Sequence, residues 1–130
     1  MDERFTVPAR LRSFRHAFRG LGALVRDEPN AWIHALATLS VCGLALGLGV
    51  GLAAWCWLVA AIAAVWAAEA LNSALEALAD VAHPAPHPGI GRAKDLGAAA
   101  VLVTACGAAI VGLVVLGPPL LARLAAWTAR

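Results

Sequence analysis

Three long apolar runs, at about residues 31–52, 53–78 and 96–116, leave this chain little choice of architecture. Each is close to the ~20 residues that an α-helix needs to cross a bilayer. Across all 130 residues the hydrophobic content is 62% and the mean hydropathy is +0.78. Soluble domains hold about 45–50% apolar residues, so an all-α integral membrane protein is predicted. One compact unit over residues 1–130 accounts for the length, with no repeat of fixed period and no room for a second domain.

The middle run carries the chain's most informative polar residues. Glu69, Asn72, Ser73, Glu76 and Asp80 lie among Ala, Leu, Val and Trp. Spacings of three and four stack Glu69, Asn72, Glu76 and Asp80 on one face of a helix. Ionisable groups at membrane depth are costly and belong against protein or a water-filled site, which marks the stripe as a site of chemistry. At 1.5 Å per residue, Glu69 lies about 16 Å along the axis from Asp80. A carboxylate among Trp66, Ala67, Ala68, Ala70 and Leu71 suits a general base acting on a lipid hydroxyl. Glu76, nearer the end of the span, and Glu28, at the start of the first span, are two carboxylates that could hold Mg²⁺. That ion commonly takes one or two carboxylates together with substrate phosphates. Taken alone, Glu28 also reads as a helix-start carboxylate favoured by the macrodipole.

Ahead of the first span, six of the ten basic residues (Arg4, Arg10, Arg12, Arg15, Arg19 and Arg26) are gathered. Leu11, Phe14, Phe18, Leu21 and Val25 recur there at helical spacing, which predicts an amphipathic surface helix over about residues 9–26. No base-reading module or aromatic platform accompanies the arginines, so nucleic acid is not the expected partner. The start of the chain does not read as a secretory signal. Asp27-Glu28-Pro29-Asn30 breaks the helical pattern, because a residue before proline is pushed from the α region.

Positive charge orients the spans. The N-terminal arm and the loop with Arg92 and Lys94 are basic, whereas Gly49 to Trp57 is uncharged, which places the N-terminus and that loop in the cytoplasm. Arg123 and Arg130 run against the rule. Trp32 at one end, and Trp55 and Trp57 at the other, suit an aromatic belt, with Trp66 assigned to packing. Cys42, Cys56 and Cys106 show no metal or disulfide pattern and read as buried packing residues. Gly43, Gly47 and Gly51 permit close helix contact without defining a stoichiometry.

Gly49 to Gly51 mark the first turn, His83 to Gly89 form a proline-rich loop, and Pro118-Pro119 is expected to close the third span. Gly91 to Gly97 open that span, where a cation and free backbone N–H groups would favour phosphate, with Lys94 the candidate contact. Lys94 also reads as a positive-inside anchor. Neither a P-loop nor a Rossmann fingerprint is present. His83 and His87 lie four apart, but the intervening prolines prevent the helix that would align them as metal ligands. They read as loop residues, with His87 the nearer to a nucleotide.

Together, Glu69-Ala-Leu-Asn72-Ser73-Ala-Leu-Glu76-Ala-Leu-Ala-Asp80 and the later Gly91-Arg-Ala-Lys94-Asp95-Leu-Gly closely resemble the small prokaryotic diacylglycerol kinase family, which includes undecaprenol kinase. Ser13-Phe-Arg-His16-Ala-Phe-Arg-Gly20 and Glu28 resemble it in the same order. The resemblance implies a homotrimeric bundle of three-span subunits in the bacterial inner membrane, each with a surface helix, using ATP and Mg²⁺ at sites between subunits. It implies Glu69 as the catalytic base with Asn72 supporting the reacting groups, and Glu28 and Glu76 as metal ligands. Lys94 would contact phosphate, and His16, Asp80, His87 and Asp95 would lie near the nucleotide. His16 stands where some members have tyrosine. Ala85 and Pro86 replace an acidic residue and a tyrosine, which alters the adenine side. Asn30-Ala-Trp-Ile-His34 is more similar to undecaprenol kinases than to diacylglycerol kinases. Two other readings of the stripe remain: a proton or ion pathway, and a structural assembly held by polar helix contacts.

Overall fold

The computed structural model describes residues 7–129, with side chains from residue 11 onward. It is all-helical over these residues: α1 (Val7–Asp27), α2 (Pro29–Leu48), α3 (Leu52–Ala82) and α4 (Pro88–Thr128). The last three are each long and apolar enough to cross a membrane. With 1.5 Å of rise per residue, α3 and α4 are about 46 and 61 Å long, well beyond the ~30 Å hydrocarbon core of a bilayer. They pack against each other more extensively than any other pair.

A single residue separates α1 from α2. Glu28 is extended (φ −107°, ψ 115°) and Pro29 begins α2, as the steric restriction before proline requires. Leu24, in the last two turns of α1, is buried, whereas Leu11, Phe14, Phe18 and Leu21 are exposed. Arg26 and Asp27 form an ion pair at the end of α1; both side chains are exposed, so it does little for stability.

The α2–α3 turn follows from one glycine. Gly49 has φ +66°, and its N–H reaches Leu46 O while that of Val50 reaches Ala45 O at 3.2 Å. This pair of bonds closes a helix through a left-handed residue, which glycine adopts without a Cβ clash. The Arg123 guanidinium donates to Gly47 O, satisfying another carbonyl that the helix end leaves free. Arg123, out of step with the charge pattern of the sequence, thus has a local role.

Two boundaries of α4 differ from the sequence expectation. Pro118 and Pro119 do not end the helix, which runs on to Thr128. Gly117 precedes them and has no Cβ to clash with the proline ring, and Arg123 ties the following turns to α2. The helix also begins earlier than expected, with Pro88 in its first turn and the His87 Nδ1 accepting from the Gly89 N–H at 3.1 Å.

The apolar core lies at the end of the bundle near Gly49. Ala45, Leu58 and Leu116 are buried there, with Val41, Leu48, Val50, Trp55, Val111 and Val115 packed around them. Trp55 therefore faces inward, and of the expected belt only Trp32 and Trp57 are exposed. The cysteines are also not the buried packing residues expected: Cys42 is half-buried, whereas Cys56 and Cys106 are exposed on the outer faces of their helices. Among the described residues, only seven apolar side chains and Glu69 are buried, so most of the apolar helix surface faces outward.

Candidate active site

Burial falls steadily along the polar stripe of α3. Glu69 is 1% exposed, Asn72, Ser73 and Glu76 are half-buried, and Asp80 is exposed. The i, i+4 spacing places Asn72 Nδ2 to donate to Glu76 Oε1 at 2.9 Å, which leaves the remaining oxygen of Glu76 for other partners. The Asn72 side chain in turn rests against α4 at Gly97. A Cβ built on that glycine would lie 2.3 Å from Asn72 Oδ1 and 3.2 Å from Leu75, so any side chain there would push the Asn72 amide aside.

Above Glu69, α2 supplies His34. Its Nε2 lies 3.6 Å from Glu69 Oε2, too far for a hydrogen bond. The Trp66 indole N–H donates to Thr38 Oγ1 at 3.1 Å, and its ring stands edge-on to the His34 imidazole at a centroid distance of 6.4 Å. Trp66 thus does more than pack: it links α3 to α2 and flanks the imidazole.

Four buried polar atoms in this region have no hydrogen-bond partner: His34 Nε2, Glu69 Oε2, Asn72 Oδ1 and Ser73 Oγ. A buried polar group left unpaired costs about 1–3 kcal/mol. Clustered on two facing helices, such groups mark a place where a ligand or water completes the bonding.

At the far end of the stripe the Lys94 ammonium donates to Asp80 Oδ1, joining α4 to α3. Both line a cavity of about 640 Å³ with His83, His87, Pro86 and Gly91. His83 Nδ1 lies 2.8 Å from Ala85 O, and the His83 and His87 rings stand 5.3 Å apart. The loop thus brings the two imidazoles together without the helix that the prolines forbid. Gly91 N donates to His87 O at 3.0 Å. Because α4 begins at Pro88, the backbone N–H groups around Lys94 lie inside the helix and are not free as expected.

The other sequence candidates do not line that cavity. His16 and Asp95 are exposed, and Glu28 is half-buried at the α2 N-cap without a side-chain capping bond. Among the described residues, no group of three or more His, Cys, Asp or Glu side chains gathers as a metal site. Sequence reasoning assigned no site role to His34, Ser73 or Gly97. A signal for His34 was present: with Thr38 it forms a polar i, i+4 pair within an otherwise apolar span.

A family model for prokaryotic diacylglycerol kinase matches residues 15–116, the stretch holding every candidate named above. The chain belongs to the prokaryotic diacylglycerol kinase family. It is 34% identical over 121 residues to the undecaprenol kinase of Bacillus subtilis, covering 92% of this chain and 97% of that protein. It is also 34% identical over 119 residues to a diacylglycerol kinase of Synechocystis, covering 91% of this chain and 68% of that protein.

Proposed function

We propose that the protein is an ATP-dependent lipid kinase that transfers the γ-phosphoryl group to the hydroxyl of a membrane lipid alcohol, with a polyprenol such as undecaprenol preferred to diacylglycerol. The observation that carries this reading is the cluster of unpaired buried polar atoms around Glu69, in a chain of this kinase family. Near-complete coverage of a relative named undecaprenol kinase and the Asn30 to His34 segment support the polyprenol.

In this mechanism the Glu69 carboxylate accepts the hydroxyl proton as the oxygen attacks the γ-phosphorus. The bond from that phosphorus to the bridging oxygen breaks, and ADP leaves with the electron pair. Asn72 holds Glu76 in place, and Lys94, kept in register by Asp80, meets the phosphates. His87 and Asp80 line the nucleotide cavity, and the exposed His16 and Asp95 would meet the nucleotide from outside it. Glu28 and Glu76 would hold Mg²⁺. The donor set fits, because Mg²⁺ uses one or two carboxylates and fills its other positions with water and phosphate, and Asn72 leaves one Glu76 oxygen unengaged. When bound, the ion would offset phosphate charge.

The protein would lie in the bacterial inner membrane with its N-terminus in the cytoplasm. There α1 would lie on the surface, its exposed Leu11, Phe14, Phe18 and Leu21 in the headgroup region and its arginines at lipid phosphates. A homotrimer would cover part of the apolar helix surface that a single chain leaves outward. A proton pathway needs neither the Lys94–Asp80 pair nor the adjoining cavity, which favours the kinase. The test is reconstituted protein with radioactive ATP and Mg²⁺, comparing undecaprenol with diacylglycerol at matched mole fraction. Labelling of undecaprenol in excess of diacylglycerol is expected; no labelling of either would sink the reading.

A further inference from the structure

His34 faces two ways. Its Nε2 points toward Glu69 Oε2 across 3.6 Å, and neither atom has a hydrogen-bond partner. The residue also lines one end of a groove of about 540 Å³ between α2, α3 and α4, whose other walls include Val41, Leu44, Ile62, Val65 and Leu116. Thr38 is the other polar side chain in those walls, and its hydroxyl is already engaged by Trp66. A molecule with a long apolar tail and one terminal hydroxyl fits this layout: the tail lies along the groove and the hydroxyl reaches His34 at its end, beyond which Glu69 lies buried.

Resting on the kinase reading above, we propose that His34 is a second catalytic residue, which holds the acceptor hydroxyl for Glu69. The gap between Nε2 and Oε2 is too long for a direct bond, and once the two buried side chains open to admit it, one hydroxyl oxygen would lie about 2.8 Å from both. There the hydroxyl donates its hydrogen to Glu69 Oε2, and one lone pair accepts from the His34 Nε2–H. The second lone pair remains for attack. In the transfer the new O–P bond forms as the bond to the bridging oxygen breaks; ADP takes the electron pair, Glu69 takes the proton, and His34 keeps its own. Trp66, fixed by Thr38, stands edge-on to the imidazole and limits its rotation. His34 thus converts a mobile lipid hydroxyl into an oriented nucleophile, a contribution that proximity makes large.

The experiment uses the full chain in mixed micelles with saturating Mg²⁺ and ATP and a varied polyprenol concentration. Three variants are compared: His34→Ala, His34→Gln, whose terminal amide N–H can reach the place of Nε2–H, and His34→Asn, which falls one methylene short. His34→Ala and His34→Asn are expected to lower kcat about 100- to 1,000-fold, as loss of one positioned donor does, with the KM for ATP unchanged. His34→Gln is expected to recover most of that loss, with all three unfolding within a few degrees of the parent. Wild-type kcat in His34→Ala, or equal loss in all three with lowered unfolding temperatures, overturns the role of His34 while leaving the kinase reading intact. A parent protein that phosphorylates no lipid alcohol overturns both.

Discussion

The two ends of this helix bundle treat their polar groups in opposite ways. Near Gly49 the main-chain carbonyls that α2 leaves at its end are taken up by Gly49, Val50 and the Arg123 guanidinium, around a core of Ala45, Leu58 and Leu116. Around Glu69, four buried polar atoms on α2 and α3 are left without partners. One end is closed by its own hydrogen bonds, and at the other the closest polar approach is the 3.6 Å gap between His34 and Glu69. The difference separates residues that hold the fold from those proposed to do the chemistry, although both lie on the same helices.

The strongest way to break that division is at its polar end. Glu69→Gln should reduce lipid phosphorylation by about 10²- to 10⁴-fold, the range for loss of a general base, while the unfolding temperature in detergent stays constant or rises. A parallel loss of stability would place Glu69 among the structural residues instead. Leu58→Ala is the converse experiment. It should lower stability by about 2–4 kcal/mol through a cavity in the apolar core, with activity per folded molecule kept at moderate temperature, as measured by denaturant titration beside the kinase assay.

Gly97→Ala tests where the two regions meet. Its new Cβ would displace Asn72, with a cost of about 1–3 kcal/mol for forcing extra volume into a packed site. Because Asn72 holds Glu76, the Mg²⁺ concentration giving half-maximal activity should rise more than the KM for lipid; an unchanged Mg²⁺ dependence would show that Glu76 needs no such support. The smallest effect is expected at the turn. Gly49→Ala forces a side chain into a left-handed conformation, at about 1–2 kcal/mol, and should lower the unfolding temperature slightly without altering kcat.

Much of this architecture was legible in the residues. The three spans, the break at Glu28-Pro29 and the turn at Gly49 follow from apolar length, proline sterics and glycine, which act locally. The i, i+4 contact between Asn72 and Glu76 was equally readable, because one helix fixes it. Contacts between helices were not. The approach of His34 to Glu69 and the close fit of Asn72 at Gly97 depend on how α2 and α4 sit against α3, and spacing within one helix is silent about that. Pro118-Pro119 misled for a related reason: the rule that proline ends a helix omits Gly117 before it and the tie from Arg123 after it.

The missing side chain at Gly97 also acts as a keyway. A side chain at this position would have to push the end of the Asn72 amide aside, so α4 comes close to α3 where glycine stands. Gly97 thus lets the two longest helices approach closely beside the polar stripe. That approach rests on an absence, a single hydrogen where every other amino acid carries carbon.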